Sequence, residues 1–247
     1  FHAQVPTSDD VTMMLMVERI QVVLEAVKCK KILWFMEKVW LGKQMVIEKL
    51  LPLVDHAFFT DETWVRRVKE NIHPLHPAAP IKCLKGTYKS ELSCDLAYIG
   101  TMYGTRTDEF EFLKERFGDG VKFYDNKFGQ DLADVCASAK ILVLPRFPFD
   151  DFFWSDRIYT FLAYGGLVVS QRTYGLKEEG FIDGKHFFEY EKDNDFMALI
   201  ESLLEEGSEE MRKGIAQEGQ NFIQHHTYKQ RIRQMLEICQ NSNVLVQ

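Results

Sequence analysis

Along the 247 residues the period of the apolar positions changes repeatedly. Apolar side chains three and four apart, the spacing of a helix face, alternate with short unbroken apolar runs that read as buried strands. A first helix is predicted over 11–27, where Met13, Met16, Ile20, Val23 and Leu24 share one face behind Asp9 or Asp10 as cap, and a strand K-I-L-W-F follows over 31–35. A helix over 43–53, a strand D-H-A-F-F-T over 55–60 and a helix over 61–70 come next. The stretch H-P-L-H-P-A-A-P over 73–80 breaks regular structure, because each proline removes a backbone donor, and it is the best linker candidate.

From Cys94 the rhythm restarts. Strands are predicted over 95–100, 121–124, 141–145, 167–170 and 186–190, with helices over 107–117, 130–139 and 156–164 between them and over 193–205, 209–224 and 227–239 at the end. Strands alternating with helices of this length imply right-handed crossovers and a parallel sheet. The fold class is therefore α/β. The second half is Rossmann-like, and the first reads as part of another such domain.

Composition narrows the class of partner. Apolar residues make up 46% of the chain and aromatics 13%, enough for a substantial core, and the net charge of -7 argues against a general nucleic-acid binder. The five cysteines, Cys29, Cys83, Cys94, Cys136 and Cys239, form no C-x-x-C pair and are odd in number. They indicate neither a metal site nor a disulfide framework, and reduced thiols of a cytoplasmic protein are the simpler reading. The longest apolar runs, over 141–144 and 167–169, are too short to span a bilayer, and no cleavable signal is visible at Phe1.

An open parallel sheet places its ligand outside the carboxyl ends of its strands, so the chemistry is sought in the loops after them. In W-S-D-R-I-Y-T-F-L-A-Y-G-G-L-V-V-S over 154–170, the helix start at Ser155, Asp156 and Arg157 offers unpaired N–H groups, the positive end of the helix dipole and a planar guanidinium. A phosphate or diphosphate suits it, and a plain N-cap beside a solvated arginine is the competing reading. The loop G-T-M-Y-G-T-R over 100–106 has two glycines that permit close approach to a phosphate and Arg106 to pair with it; a simple glycine turn with Arg106 exposed reads as well. In R-F-P-F-D-D-F-F-W-S over 146–155, Asp150 and Asp151 lie among aromatics that form either a stacking surface for a sugar or base or a hydrophobic plug. T-Y-G-L-K-E-E over 173–179 offers backbone amides with Glu178 or Glu179 to a ribose or sugar, or is a solvated helix start.

The order of these motifs, strand-G-x-x-Y-G-x-R, W-S-x-R-x-Y…G-G, a glycine loop with F-I-D-G-K-H-F-F-E-Y and finally H-T-Y-K-Q-R, resembles the CgeB-like branch of the group 1 glycosyltransferases over about 95–239. The resemblance implies a GT-B fold whose carboxyl-terminal Rossmann-like domain binds a nucleotide-sugar. It implies the domain division 1–80 (partial, acceptor-side), 81–93 (linker), 94–225 (donor-binding) and 226–247 (a terminal helix returning to the first domain). Two complete Rossmann-like domains need roughly 300 residues, so the first is expected to be truncated or reduced, and the start Phe1-His2 suggests missing upstream sequence.

Carried over residue by residue, the resemblance implies that Gly100, Tyr103, Gly104 and Arg106 approach the donor diphosphate from one side and Ser155 and Arg157 from the other. Thr160, Tyr174, Gly175, Leu176 and Glu179 fall on the ribose and sugar side. His226 reads as part of a hinge, and neither His2 nor His56 can be assigned as base. No cofactor and no metal are implied, the nucleoside diphosphate-sugar being substrate and the acceptor an unknown hydroxyl. Thr160 stands where related chains carry a glutamate, with Phe152 eight residues earlier in place of its partner. Asp150, Asp151 and Asp156 are the remaining candidates for a catalytic carboxylate, and retention or inversion stays open. A binding module that kept the fold and lost turnover is the alternative function.

Overall fold

The computed structural model describes residues 22–26, 28–39, 41–66, 71–80, 82–102, 105–144 and 152–241. The chain divides into two compact units, Phe1–His76 with Gln234–Gln247, and Pro77–Arg233. Of the helix predicted over 11–27, residues 22–26 are described and helical; the rest of that span lies outside the described residues.

The first unit contains β1 (Ile32–Phe35), α1 (Leu41–Leu50), β2 (His56–Phe59), α2 (Glu62–Val65) and β3 (Ile72–Pro74), with the three strands parallel in the order β1-β2-β3. The single helix predicted over 43–53 stops at Leu50 and tightens into a 3-10 turn over Leu51–Leu53, because Pro52 has no N–H to give to an α-helical bond. Asp61 caps α2 by accepting from the Trp64 N–H at 3.1 Å. All four β2 residues are buried. Alternate side chains serve opposite faces: Ala57 and Phe59 pack with Ile47 and Trp64, while Phe58 packs with Leu75, Met235 and Cys239.

The proline-rich stretch departs from expectation. β3 already includes His73 and Pro74, and 75–79 are buried. Its prolines alternate with residues whose N–H groups are used, Leu75 bonding to the Phe59 carbonyl at 2.8 Å and Ala79 to that of His226 at 2.7 Å. The segment is extended and paired, where the missing donors had suggested a free loop.

The second unit is a five-stranded parallel sheet in the order β5-β4-β6-β7-β8: β4 (Cys94–Ile99), β5 (Val121–Tyr124), β6 (Ala139–Val143), β7 (Val168–Gln171) and β8 (Phe188–Tyr190). The helices between and after them are α3 (Thr105–Phe117), α4 (Gly129–Ser138), α5 (Arg157–Ala163), α6 (Tyr174–Glu178), α7 (Asp193–Leu204), α8 (Glu209–Ile223) and α9 (Tyr228–Asn241). Helices cover both faces. Leu96, Tyr98, Ile141, Val143 and Val169 pack with Leu113 of α3 and Phe196 and Ile200 of α7, and Ala97, Ile99, Leu142 and Val168 pack with α4 and α5. Gly165, at φ +79, ends α5 in a backbone conformation that suits glycine. α6 is a short helix where a loop had been one of two readings for 173–179.

Residues 82–93, the predicted linker, lie in the second unit as a strap along α4. The Thr87 N–H donates to Asp134 Oδ1 at 2.9 Å, the Lys89 N–H to Ser138 Oγ at 2.9 Å, and Gln130 Nε2 to the Lys85 carbonyl at 3.1 Å. Among the described residues no helix is long and apolar enough to cross a membrane.

Candidate functional site

The strand order of the second unit reverses at β4, whose neighbours β5 and β6 are reached by crossovers in opposite directions. A cavity of about 340 Å³ opens at this point, outside the carboxyl ends of β4 and β5. That volume lies in the range of small-molecule sites, about 300–1,000 Å³. Its walls come from three stretches: Ile99, Gly100 and Thr101 after β4, the loop from Asp125 to Gly129 with Leu132 after β5, and Asp156, Arg157, Thr160, Phe161 and Tyr164 of α5. Positions 157, 160, 161 and 164 fall three and four apart, so one face of α5 forms the wall.

At the base of the cavity Arg157 lies across the end of β4. Its Nη1 donates to the Ile99 carbonyl at 3.2 Å, and its own N–H donates to Ser155 Oγ at 3.3 Å. A Cβ on residue 100 would come 2.3 Å from that Nη1, and Gly100 has φ +146, so only glycine admits the guanidinium here. The Gly100 N–H continues the strand pairing to the Tyr124 carbonyl at 3.0 Å.

The opposite rim is the turn after β5, where Asn126 takes φ +53 and bonds back to the Asp125 carboxylate through its N–H at 2.9 Å and its side-chain amide at 3.0 Å. Lys127 is half-buried, while Phe128 is 75% exposed at the mouth. The lining thus combines Lys127, Arg157, Asp125 and Asp156 with the apolar Phe128, Leu132, Phe161 and Tyr164.

The residues singled out from the sequence divide into groups. Gly100, Arg157, Thr160 and Asp156 meet in the cavity, with Ser155 beneath Arg157. Arg106 is buried and donates to the Thr101 carbonyl at 3.3 Å without lining the cavity. Tyr174 is exposed, Gly175 and Leu176 are buried in α6, and none of the three lines the cavity. Glu179 is bound by Arg231 and lies 3.5 Å from His226 Nδ1. His56 is buried in β2. Tyr103, Gly104, Asp150, Asp151 and His2 lie outside the described residues. The turn from Asp125 to Gly129 was not singled out, although D-N-K-F-G directly after a predicted strand, with one aromatic among turn formers, carries the same signal as the other post-strand loops.

Among the described residues no group of three or more His, Cys, Asp and Glu side chains is placed to hold a metal ion. Residues 91–237 match the family model described as glycosyl transferase-like. The chain belongs to this glycosyl transferase-like family. No curated protein matches the chain. Among solved structures, this glycosyl transferase-like chain is similar to HepE of Anabaena in complex with UDP-glucose, at TM-score 0.68 and 10% identity over 91% of this chain and 76% of that one. It is also similar to sucrose-phosphate synthase of Thermosynechococcus elongatus, at TM-score 0.64 and 13% identity over 94% of this chain and 72% of that one. A glycosyltransferase of Rickettsia africae gives TM-score 0.59 and 10% identity over 96% and 83%. At these identities the likeness is one of fold, and the fold is that of the GT-B glycosyltransferases.

Proposed function

We propose that the cavity at the end of β4 binds the diphosphate of a nucleoside diphosphate-sugar, and that the protein moves the sugar to a hydroxyl acceptor. The observation that carries this reading is the Arg157 guanidinium seated on Gly100 at the cavity floor. A planar fork of N–H donors held there matches two phosphate oxygens, and it meets charge that grows on the leaving diphosphate as the glycosidic bond breaks. Lys127 adds a second positive group to the lining, and Arg106 donates to the carbonyl of Thr101, another lining residue. The HepE fold neighbour, solved with UDP-glucose, agrees with a uridine donor.

Charge is met by side chains and backbone amides in this reading, so catalysis runs without an obligatory metal. Positioning supplies much of the rate, since a bound donor and acceptor react without the entropy cost of meeting. Asp156 sits one helical turn before Thr160 on the cavity wall and is the described carboxylate closest in sequence to the place of the absent glutamate. We assign the chain to the CgeB-like branch on its motif order and the protein to the cytoplasm on its odd number of cysteines without a C-x-x-C pair.

Calorimetry with UDP, ADP and GDP tests the donor reading. One of the three binds the wild type, and Arg157→Ala binds it more than tenfold more weakly; unchanged affinity in a folded Arg157→Ala rejects the assignment. Thr160, which brings a hydroxyl where a carboxylate is expected, favours a second reading, a binding module without turnover. Slow release of free sugar from the matching nucleotide-sugar separates the enzyme from the module.

A further inference from the structure

The face of α5 turned away from the cavity abuts a buried polar cluster. Tyr159, two residues after Arg157, is fully buried there, its ring edge-on to Phe181 at 5.7 Å and tilted to His226 at 6.3 Å. Arg231, only 5% exposed, sends Nε to the Pro77 carbonyl at 3.3 Å and Nη2 to both Glu179 and His226 Nδ1, the latter at 3.4 Å. Arg231 is the guanidinium that pairs with the Glu179 carboxylate. The Tyr159 hydroxyl lies within the fields of Arg231 and Glu179 and accepts from Trp154 Nε1 at 3.3 Å.

We infer that the Arg231–Glu179 clamp is a positioning element of the donor cavity: it fixes the rotation of α5 about its axis, and with it the seat of Arg157 on Gly100. This rests on the donor reading above. A buried ion pair is weak evidence of stability, because desolvation offsets most of the attraction, and an apolar pair of equal volume is often no worse. What such a pair does supply is direction, since a guanidinium held by both the Pro77 carbonyl and the Glu179 carboxylate restricts the orientation of the groups around it. Trp154 and Tyr159 bracket Arg157 in sequence, and Trp154 is tied to the cluster through the Tyr159 hydroxyl. Ser155, between them, holds the Arg157 N–H. Loosening the clamp frees the first turn of α5 to rotate, and Arg157 is the side chain on that turn that must meet a partner on another strand.

The test is to measure nucleoside diphosphate affinity and thermal midpoint separately for Arg231→Met, Arg231→Lys and Glu179→Gln, with Leu203→Ala as a control. Leu203 is buried in the core on the other face of the sheet and serves to lower stability without touching the clamp. Using whichever of UDP, ADP and GDP binds the wild type, Arg231→Met and Glu179→Gln weaken binding at least fivefold in the folded protein, Arg231→Lys recovers part of the loss, and Leu203→Ala leaves affinity unchanged at a lower midpoint. Should Arg231→Met fail to fold, the isosteric Glu179→Gln decides. Wild-type affinity in folded clamp variants overturns the clamp and leaves the donor reading standing; no binding of any of the three by the wild type overturns the donor reading and the clamp with it.

Discussion

Gly100 and Arg157 behave as one unit, because the space a side chain at 100 would fill is the space the guanidinium occupies. Gly100→Ala combines an unfavourable φ with that collision, at a cost of order 1–3 kcal/mol. It is expected to lower the melting temperature by several degrees and to abolish the nucleoside diphosphate-induced thermal shift; an unaltered shift would show that Arg157 needs no such seat. Phe128 makes the opposite prediction. At 75% exposure its removal leaves stability within about 0.5 kcal/mol of wild type. If it stacks on the donor base, Phe128→Ala weakens binding by about 1 kcal/mol, about fivefold, whereas equal affinities by calorimetry would remove Phe128 from the site. Of these residues, Gly100 and Arg157 were legible in the sequence because a glycine next to a strand end and an arginine at a helix start have specific physical uses. Arg106 had the same appearance, yet its guanidinium turns inward to the Thr101 carbonyl, a direction that sequence spacing does not encode.

At the scale of elements, one carboxylate gathers several of the contacts that hold the strap over 82–93. Asp134 is held at about 2, down from 3.8, first by the Lys89 ammonium at 2.6 Å and then by the Thr87 N–H and Gln130. A depressed carboxylate contributes stability that is complete above its unfolded value of 3.8 and is lost as pH falls from there through 2. Denaturant midpoints of wild type and Asp134→Asn are therefore expected to differ near neutral pH and to converge as pH falls across that window; a constant difference would mean that the strap does not depend on the charge. The elements themselves were largely legible, since β4, β6 and β7 are apolar runs between amphipathic helices. β3 was hidden by Pro74, and α6 by being only five residues long, too short to show a periodic face. The order β5-β4-β6-β7-β8 was not readable, because strands buried on both faces look alike and nothing in their composition tells centre from edge.

For the whole molecule, the first unit is discontinuous: Met235 and Cys239 of α9 complete the core around Phe58 and Leu75. Met235→Ala removes a nearly buried side chain from that core, at a cost of about 2–4 kcal/mol. Hydrogen exchange is expected to speed up in β1, β2 and β3 while β4 through β8 keep their protection; uniform acceleration would show that the two units open together. The alternation of strands and helices indicated two α/β bodies, but a core closed by residues 160 and more positions downstream of its strands leaves no local mark in the pattern. That closure has a consequence for biogenesis. During translation the strands carrying Phe58 and Leu75 leave the ribosome long before Met235 is made, and the whole of 77–233 can fold while they wait with an apolar face uncovered. The first unit is thus begun before the second and finished after it, and in the interval its nascent strands offer a holding chaperone an apolar face to cover.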